Sequence, residues 1–132
     1  MAVNDPWTSV GRLMAIGAVY DLVFAVAILG FTRPAAALLG LAVPADPVYL
    51  GLNGVLLVIL AGVYALAAVD PRRYAGIPPV AASGRVLGFL FLAWAWLGGR
   101  PPVFLALALA DLAIAAATLA YWVRARREGS SR

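Results

Sequence analysis

The chain has 132 residues, room for one domain, and its 64% hydrophobic and 12% charged content lies outside the range of soluble globular proteins. The polar shell that a water-exposed fold would need is missing, so the bilayer is the expected solvent. Arginine alone carries the net charge of +4, and His and Cys are both absent, which excludes disulfide exchange, iron–sulfur and thiolate sites and the usual haem, copper and zinc ligands.

The first hydrophobic span is predicted from about residue 7 to 31. Asp5 is placed to cap the helix, Pro6 suits its first turn, and Trp7 suits the headgroup level. A cleaved leader is disfavoured because the stretch is too long, lacks a basic start and is interrupted by Asp21, so the span is expected to be retained. Residues 32–46 hold Pro34, Pro44 and a short apolar run, Ala35 to Leu41, expected to form a turn of helix lying in the interface.

Asp46-Pro47 repeats the opening signal, and the second span covers about 47–69 before Asp70-Pro71 stops it. Pro78-Pro79 opens the third span, about 79–97. Gly98-Gly99-Arg100-Pro101-Pro102 then forms a tight turn that sends the fourth span, about 102–123, back antiparallel. Tyr121 and Trp122 close it, and a basic tail, 124–132, is expected to fray. The fold class is therefore all-α: a single four-span, four-helix membrane bundle with short loops.

Basic residues sit just beyond the hydrophobic spans and not on a folded face among aromatics, so nucleic acid is not an expected partner. Arg72, Arg73 and the tail arginines 124, 126, 127 and 132 fall on one side, against Arg33 and Arg100 on the other. Both termini are expected on the cytoplasmic side, and the even number of spans agrees.

Lipid gives helices no hydrophobic reason to associate, so membrane bundles rely on small residues that allow close approach. Ala61 and Ala65, Gly84 and Gly88, and Ala113 and Ala117 each have that spacing, which fits packing within one bundle or a dimer face. Each span also carries one polar residue that lipid should reject: Asp21, Asn53, Arg85 and Asp111. A charge at the bilayer centre costs about 2.5–3.5 kcal/mol on insertion scales, so each is expected to face the interior and find a partner.

Helical rise, about 1.5 Å per residue, puts Asp21 and Asp111 about 15 and 13 Å below the outer surface and Arg85 about 9 Å above the inner one, within reach of them through its stem. Asn53 is expected to share a polar stripe with Tyr49 and Tyr64, while Tyr20 adjoins Asp21. Two readings stay open for this cluster. One is a buried brace that fixes helix register. The other is a proton relay or a site for a proton-coupled solute, since two carboxylates against one guanidinium leave one negative charge to be met by a proton. Trp94 and Trp96, with Phe89 and Phe91, form either an aromatic belt or a platform for a flat ring such as a quinone.

Phe31-Thr-Arg-Pro34 with Ala37-Leu-Leu-Gly-Leu41, Gly51-Leu-Asn-Gly54, Asp70-Pro-Arg-Arg-Tyr74, Gly84-Arg-Val-Leu-Gly88 and Ala110-Asp-Leu112 follow one another in an order that resembles the DoxX-like four-helix membrane proteins. The likeness is to a bacterial group of that type without an established activity, and it covers most of residues 14–125. It implies a four-helix bundle in the bacterial inner membrane, with Arg85 and Asp111 facing inward, and a role as partner of a larger, quinone-associated or redox membrane complex. Cysteine-dependent variants cannot apply, because the chain has no cysteine.

The leading expectation is a small non-enzymatic accessory or scaffold subunit acting through contacts with itself or a membrane complex, with no cofactor. The alternative is a binding or transport module for a lipophilic molecule, a quinone or isoprenoid, or for a proton-coupled solute. An intramembrane enzyme ranks last, since without His, Cys or Lys the chemistry would fall to two aspartates, an arginine and tyrosines.

Overall fold

A computed structural model describes residues 5–130. Five helices follow one another: α1 (Pro6–Gly30), α2 (Thr32–Leu39), α3 (Val48–Val69), α4 (Ile77–Leu97) and α5 (Val103–Ser130). No strand occurs among the described residues. α1, α3, α4 and α5 are long and apolar enough to cross a membrane, and the molecule is a small multi-pass membrane protein.

The helix starts form where capping chemistry allows. Asp5 accepts a hydrogen bond from the Trp7 backbone N–H at 3.2 Å with Pro6 in the first turn, and Asp46 does the same for the Val48 N–H at 3.0 Å ahead of α3. α4 begins two residues before the expected position because Pro78 and Pro79 fit a first turn, where their missing N–H groups have no intrahelical partner to lose. Gly40 ends α2 with φ of 67°, and Gly99 turns the chain between α4 and α5 with φ of 90°, both left-handed conformations that disfavour a side chain. α2 buries no residue, as an interfacial helix would.

The tail does not fray where it is described. α5 continues to Ser130 because its last turns have partners: Ala125 is buried against Trp7 and Val10, the Trp122 Nε1–H donates to the Ala75 carbonyl at 2.8 Å, and Arg124 pairs with Glu128 at 2.8 Å. Arg132 lies outside the described residues.

Around the bundle the helices come in the order α3, α1, α5, α4, with α1 packed on both α3 and α5 and α4 packed on α5. α3 and α4 meet only sparsely, so the ring is not closed. The interior is lined by small side chains, among them Ala25, Ala67, Ala82, Ala108 and Ala115, while Leu22, Ile59, Leu87 and Leu90 point outward. That arrangement suits lipid, in which close backbone approach holds helices together and bulky apolar groups face the solvent.

The closest approach is between α1 and α3. A methyl group on Gly11 would stand 3.0 Å from the Ala68 carbonyl oxygen, and one on Gly54 would stand 2.8 Å from Leu29 Cγ. The spacings read from the sequence do not mark these contacts: Ala61 is buried, but Ala65, Gly84 and Ala113 are exposed. In the sequence alone, alanine and glycine are too common for spacing to distinguish an inner face from an outer one.

Candidate functional site

The α1 N-terminus, the turn at 70–76 and the end of α5 gather at one end of the bundle, joined by the Asp5–Arg72 ion pair at 2.7 Å. Arg12, Arg72, Arg73, Arg124, Arg126 and Arg127 belong to that end, and Arg33 and Arg100 to the other. From that basic end Arg85 lies eight residues into α4, about 12 Å, deeper than expected because the helix starts early.

At that depth Arg85 joins three helices. Its Nη2 donates to Asp21 Oδ1 of α1 at 3.0 Å and its Nη1 to Asp111 Oδ1 of α5 at 2.7 Å, while Nη2 also approaches the Gly17 carbonyl at 3.4 Å. The guanidinium is planar, so its two nitrogens can serve two carboxylates on different helices at once, which a lysine ammonium on its single stem would do poorly. The rings of Tyr20 and Tyr64 lie 5.1 and 5.6 Å from the guanidinium carbon, adding cation–π contact from α1 and α3.

Glycines make the room. A methyl on Gly17 would sit 3.2 Å from Arg85 Nη2 and 3.3 Å from the Tyr64 ring, and one on Gly88 would sit 2.8 Å from Asp111 Oδ2. Gly88 lies three residues after Arg85 on α4, so the helix that supplies the cation also leaves the notch into which the α5 carboxylate settles.

The network lies at the base of a groove of about 740 Å³ that opens between α3 and α4. Tyr20, Asp21, Tyr64, Arg85 and Asp111 form its polar part, and Phe24, Leu57, Leu60, Val80, Phe91 and Leu107 contribute apolar wall. Along α4 the lining runs from Ile77 to Leu92, about 22 Å of helix, with Arg85 just past its middle. Asp21 and Arg85 are buried, and the Asp111 side chain retains 14% of its surface. The second oxygen of each carboxylate accepts no hydrogen bond among the described residues, yet neither is sealed from the groove.

Three of the four polar residues expected to meet do so. The fourth does not: Asn53 stands exposed on the α3 wall of the groove and makes no side-chain hydrogen bond. A polar stripe along α3 is likewise absent, since Tyr64 turns inward to Arg85 whereas Tyr49 is 80% exposed. The cause is axial distance. Eleven helical residues leave Asn53 and Tyr64 close in projection but about 16 Å apart along the axis, so Asn53 lies beyond the reach of the Arg85 network. Trp94 points outward, 70% exposed, and Trp96 is also outward, so neither joins the network or lines the groove. Gly88 belongs to one of the small-residue spacings and Gly17 lies on the face of Asp21, but the groups each makes room for emerge only from the contacts.

No protein-family model matches the chain, and neither a curated protein nor a solved structure matches it. The resemblance to DoxX-like proteins therefore rests on the short motifs quoted above.

Proposed function

We propose that the protein is a non-enzymatic, membrane-embedded binding module for a lipophilic small molecule that enters from the bilayer between α3 and α4. One observation carries this reading: a groove of about 740 Å³ with apolar walls has the Asp21–Arg85–Asp111 network on its floor. Its volume falls within the range of about 300–1,000 Å³ usual for small-molecule sites, and a few convergent polar groups among apolar walls are their common composition. A brace needed only for register would be served by one ion pair closed over by packing, whereas here α3 and α4 stand apart beside it. The arginine bias supports cytoplasmic termini, and the likeness to bacterial DoxX-like proteins supports an inner-membrane location.

A second reading is favoured by a different observation. Four apolar helices present most of their outer faces to the bilayer, a surface on which a protein partner can be met, as an accessory subunit or a homo-oligomer would do. Recovery of a single copy without a partner from mild detergent would count against it.

Gly84 tests the groove. It lines the wall, and a methyl group there meets nothing within 4 Å, so a side chain can start from this position beside the groove without a clash at its first carbon. Native mass spectrometry of protein extracted with its own lipids is expected to show a bound small molecule in the wild type and none in Gly84→Phe. Identical spectra with nothing bound in either would refute the proposal.

A further inference from the structure

The groove's charge balance identifies what class of molecule it takes, and this inference rests on the binding reading above. Two carboxylates and one guanidinium line it, and Arg85 is the single basic side chain among the lining residues. Arg85 spends one nitrogen on each carboxylate, leaving Asp21 Oδ2 and Asp111 Oδ2 as unfilled acceptors at the floor with one net negative charge between them. An anionic or purely acceptor ligand would place like charge against this floor in a low-dielectric setting, where the penalty is large.

Position matters as well as sign. The charged floor lies near the middle of the groove's length, with apolar wall on both sides: Ile77 and Val80 toward the basic end, Phe91 and Leu92 toward the other. A phospholipid carries its headgroup at the membrane surface and would bring acyl chain to this depth. A cation wrapped in apolar substituents brings positive charge and apolar surface to the right places together.

We propose that the groove binds lipophilic organic cations, with Asp111 as the contact carboxylate because it is the more open of the two. The groups facing the bound cation are Asp21, Asp111, Arg85, Tyr20 and Tyr64.

Tetraphenylphosphonium and tetraphenylborate have nearly the same shape and opposite charge, and equilibrium dialysis against the purified full chain in detergent compares them. Saturable binding of the phosphonium, at least about tenfold tighter than the borate, is expected, with about a tenfold loss in Asp111→Asn, as for a lost contact to a charged group. Asp46→Asn, in the loop before α3, should bind like the wild type. Equal binding of both ions, or phosphonium binding unaltered by both Asp111→Asn and Gly84→Phe, would overturn the proposal. The wild-type comparison does not depend on any variant folding. If a neutral molecule is carried by the wild type, lost in Gly84→Phe and not displaced by phosphonium, the cation inference fails while the groove remains a binding site. If nothing occupies the groove and neither ion binds, both readings fail.

Discussion

Replacing Arg85 by Leu removes the only positive charge between Asp21 and Asp111, and its consequence can be worked from the geometry. Both ion pairs, at 3.0 and 2.7 Å, are lost together, along with the cation–π contacts to Tyr20 and Tyr64. Breaking a buried pair by deleting one partner costs about 3–5 kcal/mol in soluble proteins, because the remaining charge is stranded. Interhelical polar contacts in bilayers average nearer 0.6 kcal/mol, since the unfolded chain also finds partners there. Two charged pairs and a stranded carboxylate pair, weighed between those two scales, put the loss at about 3 kcal/mol, which for a chain of this size is a fall in Tm of roughly 10 °C. Thermal unfolding in detergent, followed by tryptophan fluorescence, measures it. Arg85→Lys should lose less but not recover fully, since one ammonium does not match two carboxylates on different helices. The decisive variant is Asp21→Asn/Arg85→Leu/Asp111→Asn, in which no charge is left to strand. It should lie within about 1–2 kcal/mol of the wild type, as neutral replacement of whole buried ionic groups generally does. A triple variant as unstable as Arg85→Leu would refute the view that charge compensation governs this cluster.

The remaining expectations concern packing and topology. Gly54→Ala and Gly11→Ala should each destabilise by about 1–3 kcal/mol, since their new methyls meet Leu29 and the Ala68 carbonyl, while Gly84→Ala, in open space, should be neutral or stabilising by up to about 1 kcal/mol; thermal unfolding of the three in one detergent decides. Trp122→Phe deletes the hydrogen bond to the Ala75 carbonyl that ties α5 to the turn before α4, and a loss of about 1 kcal/mol is expected in the same assay. Because the chain lacks cysteine, single introduced cysteines report topology cleanly: in intact cells an impermeant thiol reagent should modify Val43→Cys and not Arg73→Cys, and the reverse pattern would invert the proposed orientation.

How much could be read before the structure differs between elements for physical reasons. The spans were legible because about 20 apolar residues bounded by Asp-Pro or Pro-Pro signals have few other meanings, and apart from the end of α5 the helices fall within about two residues of the expected limits. The C-terminal end of α5 was not, because the anchoring of Ala125 and Trp122 comes from α1 and from residue 75, far away in the chain. Within the site, Asp21, Arg85 and Asp111 announced themselves by their cost in lipid, and the three meet. Asn53 gave the same kind of signal but is cheaper to leave exposed, being uncharged, and it lines a wall instead. The groove itself had no signature at all. It exists because α1 packs tightly on α3 through Gly11 and Gly54, and α4 packs on α5, so that α3 and α4 are drawn to opposite sides.

The same packing explains why an ionic network in lipid is open on one side. A bundle stabilised by close approach needs small residues at its contacts, and α1 with α3 satisfies that requirement with glycine. Between α3 and α4 the facing residues include Leu57, Leu60, Val80 and Tyr64, which are too large for such an approach. Closing the gap would bring bulky side chains together without any hydrophobic gain over lipid, so nothing drives it shut. The charges are consequently held by α1, α4 and α5, and α3 supplies only the Tyr64 ring. A helix that carries no member of the ion network can shift relative to it at little electrostatic cost. α3 is therefore the element expected to yield when a molecule enters, and spin labels on α3 and α4 should separate on ligand binding while an α4–α5 pair stays fixed.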